Sequence, residues 1–498
     1  MKLKNLMGVS SALCLCAIVA QAQETNKPVD VEQRLKQMQE MFEQREHDLE
    51  ARFEKKIAAQ DAEIDALKKQ VAGAPANPAP NAPASSVVGT APAMPGFPQP
   101  TASPATPTAG WTPSSPLTVA RAGSAYMNMS FDGMMAVGGS TASEPSAFLQ
   151  LGDHDPQKNG FSLRNAEIAL DGAVDPYVKG FANIVLKLDN NNETSIELEE
   201  AYLQSVSLPW NLQLKAGQFF ANFGRQNPQH PHTWAFVDQP IMLGRAFGPD
   251  GLRSVAAQLS WLVPTPFYTE AFLGVLDGQG STSFSFRNAG EPDTLGVNRF
   301  YGRATTSRSL DSVGDAVFVP RLASSFELTD EQTLVLGASA AFGPNDTGAN
   351  ARTEIYGVDA YWKWKPANAD AGFPFVSWQT EVLYRRFGAG GDLTAAPALR
   401  AENLTDWGGY SQVLWGFKPR WVTGVRGEYA NGNSAASDAG DPFRGERYRL
   451  SPVLTFFPSE FSKIRLQYNY DHGAQFGNAH SVWLQLEFML GAHGAHKF

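Results

Sequence analysis

Cysteine is almost absent: Cys14 and Cys16 are the only two in the chain, and both fall within the first 22 residues. Beyond them a disulfide framework, a thiolate zinc site and a thiol nucleophile are all excluded. Long apolar runs are missing too. No stretch past the leader approaches the roughly eighteen residues that read as a spanning helix. Excess positive charge is lacking, the formal balance being −10, which argues against a nucleic-acid partner. Neither G-x-S-x-G, H-E-x-x-H nor a P-loop occurs. The Asp-His pairs Asp153–His154 and Asp471–His472 fall in predicted outer loops with no nucleophile to serve. No enzymatic activity and no cofactor are expected.

What is present divides into four parts. Residues 1–22 carry Lys2 and Lys4, an apolar core over 13–20, and small residues at Ala20 and Ala22. That is the pattern of a signal peptide cleaved after Ala22; lipidation at Cys16 is disfavoured by the bulky Leu15 before it. Over 30–72, apolar residues at Leu35, Met38, Phe42, Leu49, Phe53, Ile57, Ile64, Leu67 and Val71 repeat mostly by threes, fours and sevens among charged residues. This predicts a coiled coil with one stutter, which must self-associate to cover its seam. Residues 73–117 hold 12 prolines in 45 positions, an extended linker reaching up to about 3.1 Å per residue.

Residues 118–498 repeat one motif. Sixteen alternating runs, from 118–131 through 161–174 and 177–188 to 480–491, are separated by connections that switch between long and short. Asp175-Pro176, Pro209-Trp210, Lys418-Pro419 and Pro458-Ser459-Glu460 mark the tight ones. The long ones, such as 132–160, 222–250 and 278–315, are rich in Gly, Asn and Asp. In the last run Val482, Leu484, Leu486, Phe488 and Leu490 share one face, with Trp483, Gln485 and Glu487 on the other. An apolar outer face, a polar inner face and turns that stay short on one side predict an all-β fold: a transmembrane antiparallel β-barrel of about sixteen strands around a wet lumen. An even count returns the C-terminus to the side of the N-terminal stalk. The expected setting is the lipid of a bacterial outer membrane, with the α-helical coiled coil in the periplasm.

The segment FSLRNAEIALDGAVDPYVKGFANIVLKLD (161–189) resembles the early hairpin of the phosphate-selective porin family, the outer-membrane porin O/P type. ELEEAYLQSVSLPWNLQLKAGQFFANFG (197–224) is similar to that family's next hairpin. The likeness covers 161–224 and is architectural from there to 491. It implies a homotrimeric sixteen-stranded channel for small solutes or ions, including anions such as phosphate. The loop FGRQNPQHPHTWAFVDQPIMLGRAFGPDG and the ending GAHGAHKF depart from that pattern. They look more like a less characterised outer-membrane group, some of whose members are labelled zinc-regulated or TonB-dependent receptors. A TonB-dependent transporter would need about twenty-two strands and a plug domain, and the chain has neither in its pattern.

The connection between the fifth and sixth strands is the place where sixteen-stranded porins commonly narrow the channel. Here it carries Arg225, His230, His232, Asp238, Arg245 and Asp250, with Arg253 just beyond, and Lys179, Lys187 and Lys215 lie on early strands where the lumen face is expected. Opposed charges across a narrow lumen would select permeant ions; the plainer role is to knit the loop to the wall. From 118 onward 29 Lys and Arg face 38 Asp and Glu, so general small-solute passage is expected over phosphate selectivity. His230 and His232 are weak candidates for a metal, since zinc normally takes three or four ligands. His493 and His496 are expected at a different depth. A metal-linked transport protein, or an envelope-spacing protein built on a barrel, are the alternative readings.

Overall fold

The computed structural model describes residues 117–395, 397–433 and 444–491. The expected signal peptide (1–22), the coiled coil (30–72), all but the last residue of the linker (73–117), and His493 and His496 lie outside the described residues.

Alternation of apolar and polar side chains gives each run one face for lipid-like surroundings and one for the interior, and sixteen runs become sixteen strands. They are β1 (Ala125–Ser140), β2 (Gly160–Ala173), β3 (Val178–Leu188), β4 (Thr194–Ser205), β5 (Leu212–Phe220), β6 (Arg253–Leu262), β7 (Tyr268–Leu276) and β8 (Val317–Thr329). The second half comprises β9 (Gln332–Pro344), β10 (Arg352–Trp364), β11 (Phe375–Ala389), β12 (Glu402–Lys418), β13 (Trp421–Gly432), β14 (Arg447–Ser459), β15 (Ser462–Gly473) and β16 (Gly477–Leu490). Each pairs antiparallel with the next, and β16 pairs with β1 from Phe131↔Leu490 to Ser140↔Ser481, closing the ring. Closure leaves none of the sixteen wall strands as an edge.

The first strand departs from the expected 118–131. Gly123 takes a left-handed φ of +63°, and Gly123-Ser124 forms a two-residue turn that folds Leu117–Ala122 back on Ala125–Met129. Glycine at the first central position is what such hairpins favour. The wall strand therefore starts at Ala125 and runs on to Ser140, while the short arm covers the stretch of β1 that β16 does not reach. Asp471 lies in β15 rather than in an outer loop.

On the outer surface, Tyr356, Tyr384 and Trp407 lie side by side across β10, β11 and β12. Trp362 and Trp378 pair further along the same strands, with Trp415 at the corresponding end of β12. Val358, Val382 and Val413 fill the exposed band between these two aromatic rows. Inward, the wall is not uniformly polar. Leu276, Val317, Val319, Ile355 and Leu383 point into the barrel and form a hydrophobic core with Phe223, Ile241, Met242, Leu243 and Phe247 from the connection 221–252. The core is inside the barrel because that long connection folds into it. No helix among the described residues is long and apolar enough to cross a membrane, which says nothing of crossing by strands.

Candidate functional site

Two irregularities in the early strands build the site. Pairing of β3 with β4 goes from Asn183↔Glu200 directly to Ile184↔Leu198, leaving Glu199 as an extra residue. A β-bulge of this kind re-aims side chains. Strict alternation would have turned either Glu199 or Glu200 towards the outer face; the bulge buries both. On β2 the pairing skips Arg164, between Met134↔Asn165 and Met135↔Leu163, and Arg164 and Asn165 are likewise both buried. Glu167 follows on the inner face of β2, so three carboxylates converge on one wall.

The connection 221–252 crosses the interior to meet this wall and the opposite one. Its start is caught on β11, where the Glu381 carboxylate accepts the backbone N–H of Arg225 (3.1 Å) and of Gln226 (2.7 Å). Gly224 has a φ of +60°, and a Cβ there would meet Glu381 Oε2 at 2.2 Å, so glycine is required. The chain then returns to β4, where His230 Nε2 lies 2.9 Å from Glu200 Oε2 and His230 Nδ1 lies 2.8 Å from Glu199 Oε2. His232, two residues on across the turn Pro231–Thr233, places Nδ1 3.2 Å from Glu167 Oε2. Burial opposes a charged imidazole at His230, yet Glu199 and Glu200 outweigh it and hold its pKa well above the ordinary value.

Next the connection docks on β13, β14 and β15. Lys463 donates to the carbonyl of His232 (2.7 Å), and Arg465 to those of Trp234 (2.6 Å) and Phe236 (3.0 Å). Asp238, completely buried, takes hydrogen bonds from Arg426, Arg449 (3.0 Å), Gln467 (2.9 Å) and Asn469 (2.7 Å). Burial alone would raise its pKa; Arg449 and Arg426 bring it down to about 2. Helix α1 (Ile241–Phe247) follows, every residue buried. The Glu428 carboxylate accepts the Ile241 N–H at 2.7 Å, and Arg385 donates to the carbonyl of Arg245 at 2.8 Å.

The ten residues singled out from the sequence are therefore dispersed among several contacts. His230 and His232 come together on the acidic wall, whereas Asp238 lies in the arginine cluster. Arg245 donates to the carbonyls of Arg444 and Gly445, and burial lowers its pKa to about 10. Arg253 and Lys187 both pair with Glu197, Lys187 reaching Asp153 as well. Asp250, 3.7 Å from Arg253, is pushed up to about 6 by burial and then by Asp153 and Glu197. Lys215 stands 3.8 Å from Glu200 with its ammonium over the Tyr202 ring. Arg225 is only half-buried, stacked 3.9 Å over Tyr361 with Nε 3.3 Å from Gln379. Lys179 is exposed near the short turn 174–177.

A second group, Asp153, His154 and Asp250, lies beside the first. Glu199 bridges the two through His154 Nε2 at 3.3 Å. Burial disfavours charge on His154, but the Glu199 contact raises its pKa to about 9. A cavity of about 20 Å³ lined by His154, Glu199, Phe220, Gln239 and Asp250 adjoins both groups, room for about one water molecule. Sequence reasoning missed Glu200 and the arginines of β13 to β15. Alternate cations at Arg447/Arg449 and Lys463/Arg465 were the available signal for the latter.

No family model matches the chain. An uncharacterised protein of Aquifex aeolicus is 30% identical over 377 residues, spanning 71% of this chain and 74% of its own length. Among solved structures, the outer-membrane channel DcaP of Acinetobacter baumannii aligns over 74% of this chain and 97% of its own, with 10% identity and a TM-score of 0.49. An anion-selective porin from Comamonas acidovorans aligns over 74% and 100%, with 8% identity and a TM-score of 0.45. The chain belongs to the same family as the Aquifex aeolicus protein.

Proposed function

We propose that this member of that family is an outer-membrane porin, a passive route for small polar solutes and ions that is narrowed by the connection 221–252. The observation that carries the reading is the reversal of polarity across a single closed wall. On β16, Val482, Leu486 and Phe488 face out and are exposed, while Trp483, Gln485 and Glu487 face in and are buried. Outer side chains that stay apolar between two aromatic rows suit a bilayer, and inner side chains that can be charged suit a solvated passage.

The interior carries both signs. Carboxylates on β2 and β4 face one side of the connection 221–252, and the arginines of β13 to β15 face another. Such an arrangement gives a transverse field rather than a ring of one sign, which orders dipolar solutes and passes small ions of either charge. Passage of anions such as phosphate is the narrower reading, and it rests on the resemblance over 161–224 together with the accessible position of Arg225. A homotrimer held in part by the segment 30–72 is the assembly this reading expects.

Planar-bilayer recording of the purified, folded protein tests the proposal. Stable open steps are the expected result, small in amplitude because the connection 221–252 fills much of the interior. Folded protein that inserts and passes no current would overturn the porin reading and favour a structural or receptor role.

A further inference from the structure

We propose that Glu167, His230 and His232 form a binding site for one divalent transition-metal ion, with zinc the best fit, where the connection 221–252 meets the β2–β4 wall. The donor atoms of these three buried residues all lie within 4.8 Å of one another. His232 Nδ1 and His230 Nδ1 are 3.2 Å and 3.8 Å from the same oxygen, Glu167 Oε2. Ligands bound tetrahedrally to zinc at about 2.0–2.1 Å are separated from one another by about 3.3 Å, so the two separations from Glu167 Oε2 already lie close to that value. The turn Pro231–Thr233 holds the two imidazoles stacked, with centroids 5.6 Å apart and planes 28° from parallel. Glu199 Oε2 borders the group, 2.8 Å from His230 Nδ1.

The surroundings have the form that metal-binding histidines require. The far nitrogen of His230 is held by Glu200, itself fixed by the Phe220 N–H at 3.1 Å. A carboxylate behind a ligating imidazole orients the ring and strengthens its donation. Glu167, Glu199 and Glu200 are all more than nine-tenths buried, so the wall favours a cation, and a divalent ion would take the place of the proton that Glu199 and Glu200 hold on His230. Asn183 borders the same group. Its amide nitrogen faces Glu167 Oε2 (3.2 Å), Glu199 Oε2 (2.7 Å) and His230 Nδ1 (3.1 Å). Asn183 Oδ1 meanwhile has no hydrogen-bond partner among the described residues.

The site does not depend on the porin reading. Its test is metal binding by the folded full chain, measured without reference to conductance. Protein stripped with a chelator and titrated with Zn²⁺ by calorimetry should take up one equivalent. Cobalt in its place should give the intense visible bands of a tetrahedral ion. Glu167→Gln and His232→Gln should each weaken binding at least tenfold, while Asp153→Asn in the neighbouring group should leave the stoichiometry at one. Retained heat-modifiable mobility on a gel shows that each variant is folded. The same titration on a chain carrying His493→Ala and His496→Ala separates this site from the C-terminal histidines. No uptake by the folded chain, or uptake unchanged in both Glu167→Gln and His232→Gln, would overturn the proposal.

Discussion

Asp238 is the residue on which the inward connection turns. Four side chains from three strands converge on its carboxylate, two of them arginines. Removing one partner of a buried ion pair leaves the other uncompensated, at a cost of about 3–5 kcal/mol. We therefore expect Asp238→Ala to release the segment 227–249, seen as new protease cleavage there while the barrel stays heat-modifiable. Acid should act likewise. Because the folded pKa of Asp238 is lowered to about 2, its contribution is present above the ordinary aspartate value near 4 and is lost as pH falls through about 2. The difference is on the order of 2 kcal/mol, and protection of 227–249 from acid protease should decline across that window. Arg225 makes a different prediction. It is half-buried, and its guanidinium is held by Tyr361 and Gln379 rather than by a carboxylate, so Arg225→Glu should move the reversal potential in a salt gradient towards cation preference. An unchanged potential would assign it to packing alone.

At the scale of elements, alternation made the strands legible, and breaks in alternation hid the site. Strands such as β2, β3 and β16 lie within a few residues of their expected bounds, because a two-residue period with one apolar face has few other solutions. The first strand was misplaced because a Gly-Ser turn joined two alternating pieces that read as one. Glu200 escaped notice for a similar reason: the bulge at Glu199 shifts parity, and parity cannot be read when one extra residue is inserted. Deleting Glu199 tests this. The deletion would restore strict pairing and turn one of the flanking faces outward, so the barrel should lose heat-modifiable mobility, whereas Glu199→Gln should fold. A folded deletion variant would mean that the bulge is incidental.

Taken together, the described residues form a closed wall with a cross-braced interior. Buried ion pairs between the connection 221–252 and the wall are better understood as fixing one arrangement than as adding net stability; the apolar contacts around helix α1 supply the attraction. Shortening the connection by removing 227–249 should therefore leave a folded barrel and raise the unit conductance several-fold, read by single-channel recording. Equal step sizes in the two proteins would place the narrowest point elsewhere. That the connection turns inward was expected from its place between the fifth and sixth strands, as in sixteen-stranded porins; which wall each charge would reach was not legible, since those contacts join residues some 200 positions apart, as Asp238 joins Arg449. The arm Leu117–Ala122 has a mechanical consequence. Leu117 pairs with Met129, and Leu490 pairs two residues along the same strand with Phe131. Chain leading into the barrel and chain leading out of it thus share β1 as their anchorage. Tension applied from the N-terminal side would strip the arm before it strained the closing seam, so the arm acts as a mechanical fuse for the wall.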